Sequence, residues 1–106
     1  MEISDWRKKI DELDRKLVEL LNQRATAAIG IGRLKRNTDL PIYEPERERE
    51  VIANVQKVNG GPLRERDLAQ IYERLLDVMR SIQKHEISPD SAPAAHGTEI
   101  DSKLQD

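Results

Sequence analysis

Residues 3–37 read ISDWRKKIDELDRKLVELLNQRATAAIGIGRLKRN, and this stretch decides the fold. Its apolar residues recur at alternating steps of three and four, which places them along one stripe of an α-helix. The stripe consists of Ile3, Trp6, Ile10, Leu13, Leu17 and Leu20, followed by Ala27, Ile31 and Leu34. We predict one long helix over residues 5–37, with Ser4 or Asp5 as its N-cap. The helix should end before Pro41, because proline disfavours helical geometry in the residue that precedes it.

Two shorter helices follow the long one. Pro45 suits the first turn of a helix, and the apolar residues after it favour a helix over residues 45–58. The sequence NGGP at 59–62 stops that helix, and a glycine there can adopt the left-handed conformation. A further apolar stripe predicts a third helix over residues 64–85. Since no alternating strand pattern is visible, we predict an all-α fold with three helices per chain.

The charge divides the sequence into two parts. The 106 residues include 18 Lys and Arg against 20 Asp and Glu, which makes the formal net charge −2. Residues 87–106 hold four acids and one lysine together with two prolines, a composition typical of a disordered acidic tail or linker. Residues 1–86 then form the single folded domain, with 17 bases against 16 acids.

The composition excludes several classes of function. With one Trp, two Tyr, no Phe and no basic excess, the chain is unsuited to binding nucleic acid. Because there is no Cys, disulfides, thiolate metal sites and a cysteine nucleophile are excluded. His85 and His96 lack the spacing of a ligand set, so we predict no metal site. We see neither a membrane-spanning run nor a leader pattern, and we therefore predict no membrane partner and a cytoplasmic location.

The length of the first helix predicts a dimer. A helix of about 33 residues spans about 50 Å at roughly 1.5 Å per residue. A compact domain of this size has a radius of gyration of only about 12–13 Å. The apolar stripe therefore extends beyond the core of its own chain, and a second copy is the simplest cover for it. We predict an obligate, intertwined homodimer.

A few polar residues interrupt the apolar stripes. Arg24 occupies a position of the apolar stripe of the first helix where an aliphatic residue is expected. Lys35 lies three turns later on the same side of that helix. Arg47 is spaced four residues from Val51, and Gln83 continues the stripe of the third helix. Cations that extend along a helix edge to solvent are the more common explanation for a pair such as Arg24 and Lys35, and a frayed helix end would explain Gln83. If they point inward, they form a cationic pocket for a small dianion.

Five motifs resemble those of one enzyme family. They are WRKKIDELDRKLVELLNQR at 6–24, IGRLK at 31–35, PIYEPERE at 41–48, NGGPL at 59–63, and IY at 71–72 with SIQ at 81–83. In order and spacing they are similar to the motifs of the all-helical (AroQ-type) chorismate mutases, over residues 5–85. The resemblance implies the Claisen rearrangement of chorismate to prephenate, the branch step towards Phe and Tyr. It also implies an intertwined dimer with two active sites and a reaction without metal or organic cofactor.

The resemblance assigns roles to the cations and to the amide. Arg24 and Arg47 would bind the substrate carboxylates, with Arg24 also counted among the catalytic groups. Lys35 and Gln83 would donate hydrogen bonds to the ether oxygen. Arg7 would bind a carboxylate in the site of the partner subunit, because it lies 28 residues from Lys35, about 42 Å along the helix.

The resemblance also covers three further lining residues. Glu48 matches the carboxylate that binds the substrate hydroxyl, and Glu44 matches a second acidic position nearby. Glu44 is one methylene longer than the aspartate often found there, which would shift a hydroxyl contact. Met79 stands where the family often has a small or hydroxyl residue, which would remove a polar contact to a carboxylate.

Two alternatives stay open. An isochorismate-pyruvate lyase shares this fold and a similar cationic pocket, although the match over residues 41–48 favours the mutase. A non-catalytic helical dimerisation or regulatory module predicts solvated, replaceable charges at positions 24, 35, 47 and 83.

Overall fold

The computed structural model describes residues 1–87, and these form three α-helices. They are α1 (Ile3–Arg36), α2 (Pro45–Lys57) and α3 (Glu65–Ile87). No strand occurs in the described part, so the predicted all-α class with one long first helix is confirmed. None of the three helices is long and apolar enough to cross a membrane. Residues 88–106, which make up nearly all of the predicted tail, lie outside the described residues.

The first helix begins earlier than predicted. Glu2 is the N-cap, and the Asp5 carboxylate accepts a hydrogen bond from the Glu2 backbone N–H at 2.8 Å. This is the reciprocal bond of a capping box, which the acidic residue in the first turn makes possible. The predicted N-cap, Ser4 or Asp5, is therefore wrong, because both residues already lie inside the helix.

Ion pairs and a hydrogen bond join the C-terminal ends of α1 and α3. Arg33 and Arg36 both pair with the Glu86 carboxylate, at N–O distances of 3.1 and 3.3 Å. The Arg36 Nε also donates to the Glu86 backbone oxygen at 2.9 Å. A side chain that satisfies a free carbonyl in the last turn stabilises a helix end. These bonds explain why α3 continues to Ile87, two residues beyond its predicted end.

The third helix lies between the other two and packs against both. It contacts α1 at Gly32, which is buried. A Cβ at this position would lie 3.0 Å from the Glu86 Cβ and 3.1 Å from the Gln83 Cα and backbone oxygen. A side chain here would therefore force the neighbouring atoms of α3 to shift. Gly30, by contrast, has nothing within 4 Å of the Cβ position.

The buried apolar core of the described chain is small. It consists of Ala28, Leu76 and Met79. The first six residues of the apolar stripe, at positions 3, 6, 10, 13, 17 and 20, form a ladder along the first half of α1. This ladder is exposed, since each of the six residues is between 50% and 67% accessible to solvent. The radius of gyration is 16.4 Å, above the roughly 12–13 Å of a compact chain of this length. α1 thus extends beyond the core, as its length predicted.

We expect Gly32→Ala to destabilise the protein by about 1–3 kcal/mol, because the added methyl group forces α1 and α3 apart. Gly30→Ala is the matched control and should stabilise by about 0.5–1 kcal/mol, since alanine is the better helix former at an open position. Thermal unfolding followed by circular dichroism measures both. Equal melting temperatures for the two variants would contradict the close approach at Gly32.

Candidate active site

A cavity of about 430 Å³ lies where the second half of α1, the start of α2 and the last turns of α3 meet. Its volume is within the range of about 300–1,000 Å³ that is usual for small-molecule sites. Its polar wall consists of the cations Arg24, Lys35, Arg47 and Arg80, the carboxylates Glu44 and Glu48, and the Gln83 amide. Aliphatic side chains and Met79 complete the lining.

Lys35 lies at the centre of the polar wall. It is 6% exposed, and it is the one charged residue that is buried within residues 1–87. Its Nζ donates to Glu44 Oε2 at 2.8 Å, to Gln83 Oε1 at 3.2 Å and to the Ile42 backbone oxygen at 3.4 Å. An ammonium group has three N–H donors, so each of them has an acceptor. A charge can be held away from water only with partners of this kind.

The short connection between α1 and α2 supplies two of these acceptors. The chain turns directly after α1, where the Thr38 backbone N–H donates to the Lys35 carbonyl at 3.1 Å. Pro45 then begins α2, which makes Glu44 the N-cap residue of that helix. The residues just before α2 are therefore held next to the end of α1, and the Glu44 side chain reaches Lys35.

The third helix contributes the Gln83 amide and the apolar Met79 side chain to the cavity. Met79 is 5% exposed, and Gln83 follows it by about one turn and is half-buried. The Gln83 side-chain oxygen accepts the hydrogen bond from Lys35, which leaves its amide nitrogen as a donor. Gln83 therefore lies in the cavity and not at a frayed helix end.

Arg24 and Arg47 come from different helices. Arg24 is half-buried on α1, about 16 Å along the helix axis from Lys35. Arg47 lies in the first turn of α2, pairs with Glu50, and has a side chain that is 60% exposed. The cavity thus has a cation on each of two walls that solvent or a ligand can reach.

Glu48 and Arg80 form an ion pair that joins α2 to α3. The Arg80 guanidinium donates to both carboxylate oxygens of Glu48, at 2.9 Å each, and to Asp77 at 3.1 Å. Its central carbon lies 4.8 Å from the centre of the Tyr43 ring, a distance typical of a cation–π contact. The hydrogen bond to Glu48 is the main cause that raises the pKa of Arg80 above its ordinary value, and partial burial opposes it.

The cavity carries a net positive charge. Four cations and two carboxylates line it, which leaves a charge of +2. Its lining within the described chain includes no Ser, Thr, Cys or His. Across residues 1–87, no cluster of three or more His, Asp or Glu side chains could hold a metal ion. The arrangement is suited to binding and polarising a small dianion.

A family model described as chorismate mutase type II matches residues 6–84. The chain belongs to this family. The match spans all three helices, so family and fold agree with the resemblance of the five motifs.

Solved and curated chorismate mutases of similar length also match. The chain superimposes on a crystal structure of the Helicobacter pylori chorismate mutase in complex with prephenate, with a TM-score of 0.73 and 28% identity over 80% of this chain and 92% of that one. It is 28% identical to the chorismate mutase of Methanocaldococcus jannaschii, over 77% of this chain and 84% of that protein.

Longer relatives carry a second activity in their names. The chain is 37% identical over 87 residues to a bifunctional chorismate mutase/prephenate dehydratase of Aquifex aeolicus, which covers 78% of this chain. It spans 24% of the length of that relative and 23% of a similarly named protein of Pseudomonas aeruginosa. The similarity to these longer proteins thus lies in about a quarter of their length.

The resemblance assigned eight residues to the active site, and seven of them line the cavity. They are Arg24, Lys35, Glu44, Arg47, Glu48, Met79 and Gln83. The eighth, Arg7, is exposed near the start of α1 and lies about 42 Å along the helix from Lys35. The chain therefore brings together every assigned residue except the one assigned to the partner subunit.

Arg80 is the polar lining residue that the sequence did not predict. It is four residues after Leu76, which is buried, and three before Gln83, which continues the apolar stripe of the third helix. Residues at these spacings share one helix face. Helical spacing could therefore have identified Arg80 as a cavity residue, although not its pairing with Glu48.

Proposed function

We propose that this chain catalyses the rearrangement of chorismate to prephenate, the branch step towards Phe and Tyr. The observation that carries the proposal is the buried Lys35 ammonium in a cavity of charge +2. Chorismate is a small dianion, and its rearrangement breaks an ether C–O bond and forms a C–C bond within one molecule. The reaction requires no nucleophile and no proton transfer. It requires a reactive conformation and stabilisation of the charge that develops on the ether oxygen.

Lys35 and Gln83 are the groups we assign to the ether oxygen. The Lys35 ammonium is already oriented by Glu44, Gln83 and the Ile42 carbonyl. The ether oxygen would replace the longest of these contacts, the one to Ile42 at 3.4 Å, so little reorganisation is needed when charge develops there. The Gln83 amide nitrogen supplies a second donor beside it. A cation in a site of low accessibility interacts more strongly with such a charge than it would in water.

Arg24 and Arg47 are the groups we assign to the two carboxylates. A guanidinium matches a carboxylate with two parallel hydrogen bonds, which fixes orientation as well as distance. Because the two arginines come from α1 and α2, they would hold the flexible substrate at two points. Glu48 would then accept the hydrogen bond of the ring hydroxyl, with Glu44 nearby.

We infer that the active form is an intertwined homodimer. The ladder of α1 is at least half exposed at each of its six positions, and no other part of the described chain covers it. Contiguous apolar surface of this extent marks an interaction site. A second copy brings an identical ladder, and the Arg7 of the partner subunit could then complete the carboxylate site. The cytoplasmic location stays a prediction.

Turnover of chorismate tests the proposed function. We expect loss of chorismate absorbance with prephenate as product, whereas release of pyruvate from isochorismate would favour the lyase and no turnover would favour the non-catalytic module. Lys35→Met keeps the buried stem and removes the charge, and should lower kcat/KM by about two to three powers of ten. Lys84→Met, at an exposed position on α3, is the matched control and should change little.

The oligomeric state is a separate test. Light scattering at micromolar concentration should give twice the chain mass of 12.2 kDa. Leu17→Asp places a charge in the ladder and should abolish the dimer. Arg15→Asp, about 200° around the helix from Leu17, should leave it intact. A folded monomer of the unmodified chain would contradict the dimer.

Mixed dimers test the shared site. Arg7→Ala and Lys35→Met chains should each be nearly inactive, but a dimer with one of each has one site with all its groups. Random pairing should restore about a quarter of the wild-type sites. Arg24→Ala mixed with Lys35→Met is the control, because both residues belong to the same chain's site and no complete site forms. Equal activity of the two mixtures would exclude the partner's Arg7 from the site.

A further inference from the structure

Arg80 has no role in the function proposed above, although it has a large share of the polar contacts in the cavity. Its guanidinium spans from Asp77 on its own helix to both oxygens of Glu48 on α2. The Tyr43 ring, from the connection before α2, lies against it at 4.8 Å. Three parts of the chain therefore fix one arginine.

The geometry of the Glu48–Arg80 ion pair determines how many further hydrogen bonds the Glu48 carboxylate can accept. A carboxylate has about four acceptor sites, and a bidentate arginine uses one on each oxygen. Glu48 thus keeps capacity to accept another hydrogen bond while its plane is fixed by Arg80. Both side chains are only partly exposed, 22% for Glu48 and 31% for Arg80, so solvent competes little with the pair.

Arg80 also engages the Glu48 carboxylate with a cation from α3. Without it, Glu48 would be free to turn towards other cations that line the same cavity, such as Arg24 or Arg47. A carboxylate that moves to those groups would neutralise them and would leave the position from which it faces a ligand. The pair with Arg80 therefore preserves both the cations and the acceptor.

We propose that Arg80 is a positioning residue that holds Glu48 as the acceptor for a ligand hydroxyl and so sets the preference for hydroxylated dianions. The inference rests on the proposed function, since it assigns the ring hydroxyl to Glu48. Arg80 acts through Glu48 and need not touch the ligand. Asp77 accepts a further hydrogen bond from the Arg80 guanidinium, and the Tyr43 ring lies against it.

The test compares two stable ligands by calorimetric titration. One is a bicyclic diacid analogue of the chorismate transition state that carries the ring hydroxyl, and the other is the same diacid without it. The ratio of their dissociation constants reports the hydroxyl contact alone, because the two carboxylates are common to both. Neither ligand reacts, so the ratio is read at equilibrium.

We expect the wild-type chain to prefer the hydroxylated diacid by about ten- to a hundredfold, as for a hydrogen bond to a charged group. Arg80→Met keeps the packing of the stem and should lower this preference about tenfold. Arg80→Lys keeps the charge without the fork and should give an intermediate preference. Arg74→Met, at an exposed position on α3, is the matched control and should keep the wild-type preference.

The outcomes separate the two proposals. An unchanged preference in Arg80→Met, with normal binding by the wild-type chain, overturns the role of Arg80 and leaves the proposed function standing. A wild-type chain that binds neither diacid overturns the proposed function and this inference with it. An arginine that only joined the helices would change both affinities equally and leave the ratio constant. If Arg80→Met does not fold, Arg80→Lys decides, because a wild-type preference in that variant also overturns the inference.

Discussion

Removing an ammonium group from water is strongly unfavourable unless acceptors replace the water, and Lys35 has three acceptors from two other parts of the chain. The last turn of α1 carries the lysine, the connection to α2 supplies Glu44 and Ile42, and α3 supplies Gln83. If any of these elements moved away, a buried charge would lose a partner. The same bonds that make the burial tolerable also assemble the polar wall of the cavity. The Lys35 ammonium group therefore affects both the stability of the helix packing and the geometry of the site.

The two halves of α1 pack differently because their side chains differ in size. The second half carries Ala28 and Gly32, which let α3 approach until almost no space remains. The first half carries large apolar side chains with no partner in the described chain. A helix of this length cannot bury both halves in a domain of this size. The first half is therefore the surface that we propose for a second copy, and the second half lines the cavity.

The cavity combines an excess of cations with carboxylates that hold them in place. Glu44 orients Lys35, and Arg80 orients Glu48, so each acidic residue is engaged by a cation before any ligand arrives. The remaining cations, Arg24 and Arg47, provide the excess charge that a dianion would neutralise. Such preorganisation lowers the free energy that binding and reaction must spend on reorienting groups. The rearrangement that we propose requires no nucleophile, and it would depend on charged residues for this reason.

Much of the fold and of the candidate site follows from the sequence. Periodic apolar residues and the breaks at Pro41 and at 59–62 predicted three helices, to within two residues at every end. Helical spacing singled out Arg24, Lys35, Arg47 and Gln83, and the family resemblance added Glu44, Glu48 and Met79; all seven line one cavity. The helices and the spacing along them depend on local chain geometry, because a helix repeats every 3.6 residues whatever lies around it.

The tertiary structure decided what depends on contacts between distant residues. Two pairings are not visible in any single stretch of sequence. They are the ion pairs of Glu86 with α1 and the pair between Glu48 and Arg80. Nor does the sequence distinguish Gly32 from Gly30, although only the former meets another helix. Side chains select their partners by distance in space, and residues 32 positions apart become neighbours only after the helices have packed. The sequence by itself therefore determined the helices and the types of group in the site, whereas packing determined which group pairs with which.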